Sequence, residues 1–124
     1  MFRYYAKLVR VVDGDTIDVE LDHGFSIKHI IRLRLAGIDT EELNDPNTEN
    51  RVLALAAKRF TQEQLENRIL IIQTLKTKSG KERETFGRYV ALVYYDDLIE
   101  QGVSAEICFN DMLVKEGFAK EWRA

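Results

Sequence analysis

The chain has 124 residues, 45% of them hydrophobic and 31% charged, with one proline and a net charge of −3. That length suits one domain spanning 1–124 and is too short for two good cores. The composition excludes a disordered chain, and the net charge argues against a general nucleic-acid binder acting through bulk positive charge.

Residues 2–12 are rich in Tyr, Val and Leu and predict a first strand. Asp13-Gly14 is a tight-turn signal between two strand-like runs. Beyond it Ile17, Val19 and Leu21 alternate with Asp18, Glu20 and Asp22, the period of a half-buried strand. Asp22-His23-Gly24 predicts the next turn, and "IKHIIRLRLAGI" a third strand. Asp45 and Pro46 suit the cap and first position of a helix over 46–67. Val52, Ala56 and Phe60, flanked by Leu53, Ala57 and Gln64, predict its buried stripe. "RILIIQTLK" reads as a fourth strand, "KTKSGKERETFG" as a long polar loop and "RYVALVYY" as a fifth strand. Asp96-Asp97 opens a polar connection, and Asn110 is placed to cap a short helix that Gly117 ends. Five strands, a long helix between the third and fourth, and a short C-terminal helix predict an α+β, mainly β architecture: a five-stranded OB-fold barrel.

Cys108 lies in the apolar run "AEICF" and reads as a small core residue, without a neighbour to activate it. His23 and His29 make no zinc pattern. No apolar run has the length of a membrane span, and no charged head, apolar stretch and cleavage site opens the chain. The expectation is a cytoplasmic protein, or a secreted one whose leader has been removed, with no membrane partner and no obligate protein partner.

Charge is segregated. Residues 39–50 carry five acids and no base, whereas residues 76–88 carry five bases and two acids. Asp15 shares the parity of Ile17 and Val19, so it should point inward at the barrel rim, where an ionised carboxylate needs a partner. The competing reading is a solvated turn residue. Asp39 follows Gly37, and a glycine bulge there would turn it to the face of Arg34. Two aspartates with carbonyls and water make a site for a hard cation, calcium or magnesium. Arg34 and Arg88 are candidate phosphate clamps, since a guanidinium stays charged and grips two oxygens at once; taken singly, each reads rather as a surface or rim salt bridge with Asp or Glu. Glu42 or Glu41 can serve as the base beside a bound phosphate, and spacing does not separate them.

Four segments, "VVDGDT" at 11–16, "RLAGIDTEE" at 34–42, "FGR" at 86–88 and "NDMLVKEGFAK" at 110–120, occur in order around the long helix. In this the chain resembles the staphylococcal nuclease (thermonuclease) family. The resemblance implies an OB-type barrel and calcium-dependent hydrolysis, with calcium rather than magnesium, of single-stranded or denatured DNA and RNA, leaving 3′-phosphate ends. It implies Asp15 and Asp39 as metal carboxylates, Thr40 as a backbone-carbonyl ligand, Glu42 as the general base, and Arg34 and Arg88 as the arginines on the phosphate. Lys76, Lys78, Lys81 and Phe86 are the implied weaker nucleic-acid contacts. Glu41 stands where the family often has proline, and Phe86 where it often has tyrosine. The alternative function is a catalytically weak or silent nucleic-acid-binding or protein-interaction module on the same barrel.

Overall fold

The computed structural model describes residues 3–75, 89–98, 102 and 104–121. Three antiparallel strands come first: β1 (Arg3–Asp13), β2 (Thr16–Asp22) and β3 (Lys28–Leu35). As the alternation predicts, Ile17, Val19 and Leu21 are buried in the core. β5 (Leu70–Leu75) pairs with β1 on one side and with β6 (Tyr89–Leu98) on the other. β6 then meets β3 in parallel, Leu33 opposite Tyr89 through Leu35 opposite Ala91. The ring β1-β2-β3-β6-β5 is thereby a closed five-stranded barrel, which leaves none of its strands as an open edge. Its interior is filled by Leu33, Leu35, Leu70, Ile72 and Val93, all fully buried.

Three strands lie outside the five expected. β7 (Ser104–Cys108) extends β6 as an antiparallel partner where the polar residues predicted only a connection. Its residues Ser104 and Glu106 are exposed, so hydropathy gives little sign of it. β4 (Ile38–Asp39) and β8 (Lys120–Glu121) pair over two residues each, too short for any period to register.

The long helix α1 (Thr48–Leu65) starts later than its sequence signals predict. Asn47 is the cap, its side chain accepting from the amides of Glu49 and Asn50, while Asp45 accepts from the Asn47 amide and organises the turn before it. The buried stripe is Ala54, Ala57, Thr61 and Leu65, and the predicted Val52 and Leu53 are exposed. Close approach explains the shift. A Cβ on Gly14 would sit 2.8 Å from Ala57 Cβ, and Thr61 Oγ1 donates to the Gly14 carbonyl at 3.1 Å. The face that meets the β1–β2 turn must be small and partly polar, so its signal is weaker than that of the exposed face. Phe60 keeps a packing role, stacking on Phe118 at 4.5 Å and on Phe109 at 6.0 Å.

Helix α2 (Phe109–Lys115) begins one residue before the predicted cap, with Cys108 in the capping position and no side-chain cap bond. Asn110 is instead 1% exposed. Its Oδ1 accepts from the Val93 amide at 2.9 Å, and its Nδ2 donates to the carbonyls of Ala36 and Ala91 at 3.0 and 3.1 Å. One amide side chain thus ties α2 to β6 and to the segment that leaves β3. Cys108 is half-buried and burial pushes its thiol up, the opposite of what a nucleophile needs. No helix among the described residues is long and apolar enough to cross a membrane.

Candidate active site

The β1–β2 turn delivers Asp15 to the rim of the barrel, 6% exposed. Its own carbonyl accepts from the Leu35 amide at 2.8 Å, which locks the turn against the end of β3. Its carboxylate accepts from Thr16 Oγ1 at 3.2 Å and from the Thr40 amide at 3.3 Å. Arg34 Nη2 lies 3.5 Å away, so the buried charge is paired.

After β3 the chain turns through Gly37, whose φ of +73° is the left-handed conformation that glycine adopts without a Cβ penalty. This is a turn between β3 and β4 rather than a bulge within one strand. It still returns Asp39 to Arg34: Nη2 donates to Asp39 Oδ1 at 3.2 Å, and Nη1 donates to the Ile38 carbonyl at 3.3 Å. One guanidinium nitrogen therefore stands within 3.5 Å of both predicted metal carboxylates. Burial first, then the Asp15 charge, pushes the Asp39 carboxyl up, and Arg34 partly offsets them.

Glu42 shares the same field. Burial first, then Asp13, Asp15 and Asp39 in turn, pushes its carboxyl up, with Arg34 opposing. Asp13, a turn residue by its sequence signals, also belongs to this cluster, since its charge acts on Glu42. Its signal was the symmetry of "DGD", two carboxylates flanking the glycine that lets the turn approach α1. Arg88, Lys76, Lys78, Lys81 and Phe86 lie outside the described residues. A cavity of about 510 Å³ opens beside the same chain segment, walled by Ala36, Gly37, Ile38, Leu92 and Val114, and holds none of the predicted catalytic side chains.

The donor set fits a hard cation. Asp15 and Asp39 supply anionic oxygens, and Thr40, whose amide donates to Asp15, has a buried hydroxyl with no hydrogen-bond partner among the described residues. Among the described residues no three His, Cys, Asp or Glu side chains converge as a ligand group. An ion here would complete its shell with backbone carbonyls and water, which calcium and magnesium accept and zinc's soft structural sites do not use.

A carboxyl raised in the folded state holds its proton more tightly there than in the unfolded chain, so its ionisation costs stability. For Asp39 and Glu42 that cost is absent below the ordinary carboxylate range and complete once pH has passed their raised folded values. In chelator, Glu42→Gln should therefore gain stability relative to the unaltered chain as pH rises from about 4 towards neutrality. Thermal melts across that range read the gap, and a gap constant with pH contradicts the clustering.

Beside this cluster, Asp18 accepts from Arg32 Nε at 2.8 Å and Nη2 at 3.1 Å, and from Arg10 Nε at 3.1 Å. The Arg32 hydrogen bond, followed by its charge and by Arg10, holds the Asp18 carboxyl below its ordinary value despite burial.

Residues 32–124 match the family model described as staphylococcal nuclease homologue. The chain belongs to the staphylococcal nuclease homologue family. It is 32% identical to a thermonuclease of Staphylococcus hyicus over 92% of its own length and 57% of that protein, and 34% identical to a thermonuclease of Staphylococcus intermedius over 90% and 55%. It is also 29% identical to the uncharacterized protein MJ1439 of Methanocaldococcus jannaschii over 94% and 58%. The chain thus spans rather more than half the length of these relatives. In this staphylococcal nuclease homologue the matched segment includes Arg34, Asp39, Thr40 and Glu42, while Asp13 and Asp15 precede it.

Proposed function

We propose that this chain is a calcium-dependent nuclease that hydrolyses phosphodiester bonds in single-stranded or denatured DNA and RNA, leaving 3′-phosphate ends. The observation that supports it best is the convergence of Asp15 and Asp39 on one nitrogen of Arg34, with Glu42 in the field of both. A surface module that only binds has no use for two repelling carboxylates gathered at a half-buried arginine. Family membership points the same way.

Asp15 and Asp39, with the Thr40 carbonyl, would hold calcium, which when bound supplies Lewis-acid polarisation of a phosphoryl oxygen. Glu42 accepts a proton from the attacking water. In the metal-free protein its carboxyl is pushed up, by burial first and then by the neighbouring aspartates. Arg34, and Arg88 with it, donates to the non-bridging oxygens as charge builds on them in the trigonal-bipyramidal transition state. The proton on the leaving 5′-oxygen is drawn from solvent. The acidic residues of 39–50 disfavour a long polyanion near this rim, so the arginines must offset that repulsion locally.

The test is incubation with denatured DNA in calcium, in magnesium and in excess chelator. Cleavage in calcium that stops in chelator supports the nuclease. Binding without cleavage in either metal would make the chain a silent nucleic-acid-binding module.

A further inference from the structure

We propose that Arg10 and Arg32, bridged by Asp18, form a second phosphate-binding station for the same nucleic-acid strand, one step along the barrel from Arg34. This rests on the nuclease reading for the identity of the strand, but its geometry is independent of Asp15, Asp39 and Glu42.

Directly opposed residues of antiparallel strands project from the same face. Arg10 of β1 opposes Asp18 of β2, Asp18 opposes Arg32 of β3, and Thr16 opposes Arg34. The three members of the station therefore stand in a row across the sheet, on the face that carries Arg34. Arg32 and Arg34 are two residues apart on β3, about 6.6 Å along the strand. That is of the order of the distance between successive phosphates on an extended single strand. Asp13 links the two sites electrostatically, since its charge acts on both Arg32 and Glu42.

The pairing at Asp18 is more than a buried carboxylate requires. Arg32 already binds it through two nitrogens, Nε at 2.8 Å and Nη2 at 3.1 Å, which balances its charge. Arg10 adds a third bond through Nε alone and brings a second guanidinium beside the first. The three side chains together carry about +1, tempered by the Asp13 charge that acts on Arg32, and hold two like groups side by side, a repulsion that an anion relieves. Among the described residues the Arg10 side chain makes no other hydrogen bond and is 63% exposed; Arg32 is 43% exposed. Asp18, 8% exposed and anchored in the middle of a barrel strand, fixes the direction of both guanidiniums before any ligand arrives. The ligand class is a backbone phosphodiester, read without regard to base sequence.

The experiment measures the affinity of a fluorescent oligothymidylate by anisotropy across a salt series. It is done in calcium, on a Glu42→Gln background so that the oligomer survives. Arg10→Gln should weaken binding several-fold at low salt and flatten the slope of log K against log salt by about 0.7, the value of one single-strand phosphate contact. Arg10→Lys should keep most of the slope, because it keeps the charge. Arg3→Gln is the charge-matched control, seven residues away along β1 and paired instead with Glu106. It should leave the slope unchanged. An unaltered slope in folded Arg10→Gln, or an equal flattening in Arg3→Gln, overturns the station. Cleavage by the unmutated chain is scored separately, so loss of the nuclease reading and loss of the station give different results.

Discussion

Replacing Glu42 with glutamine is expected to lower kcat on denatured DNA by about 10²- to 10⁴-fold, the usual contribution of a positioned base. KM should change little, because glutamine keeps the size and removes only the basic oxygen. The adjacent Glu41→Gln is the informative comparison, since chain spacing alone leaves the two open. Burial, the charges of Asp13, Asp15 and Asp39, and the opposing charge of Arg34 all act on Glu42, which is why the proposal assigns the base to it and not to Glu41. Glu41→Gln should retain activity within a few-fold. Single-turnover rates with each variant decide the assignment, and a larger loss in Glu41→Gln would transfer the base role to that residue. The raised carboxyl also predicts that the same substitution does not destabilise the metal-free fold at neutral pH, and a thermal melt of the variant in the assay buffer separates lost activity from unfolding.

The largest effect on stability is expected away from the carboxylates, at Asn110. Asn110→Ala removes three hydrogen bonds from a side chain that is 1% exposed. The Ala91 carbonyl keeps a donor, the Ala36 amide at 2.8 Å, but the Val93 amide and Ala36 carbonyl lose the Asn110 side chain as a partner. Each buried group so orphaned costs about 1–3 kcal/mol, and the total should reach about 3–5 kcal/mol. In a domain of this size that lowers Tm by roughly 10 °C or more. Activity should fall as well in the protein that remains folded, because Ala36 leads through Gly37 into Asp39. Denaturant unfolding measures the first effect; a loss below about 1 kcal/mol would mean that water replaces the amide at little cost.

The strands and the barrel were legible because their periods are long and their residues β-branched or aromatic. Ile17, Val19 and Leu21 alternate cleanly and are buried together. The helix was legible as a helix but not in its face. Ala57 and Thr61 must be small enough to meet Gly14, and that requirement belongs to the partner element and not to the helix. Asn110 shows the same limit. A residue type that favours helix caps was recruited to satisfy backbone groups on β6 and after β3, distant in sequence and brought near only by barrel closure. β7 was hidden by its exposed polar alternation, and β4 and β8 by their brevity. At the site, Asp15, Asp39 and Arg34 were legible as residues whose charges need each other, and the structure places them within 3.5 Å of one guanidinium nitrogen. Asp13 and the Arg10–Asp18–Arg32 row were not, because membership in either depends on strand register, which a single sequence fixes only weakly.

Crystals soaked in calcium test most directly the proposal that Asp15 and Asp39 hold a divalent ion beside Arg34. The expected result is one ion bound by both carboxylates, with oxygen ligands at about 2.3–2.6 Å and water completing the shell. Two aspartates still paired only to Arg34 at saturating calcium, or an ion bound elsewhere on the molecule, would contradict it.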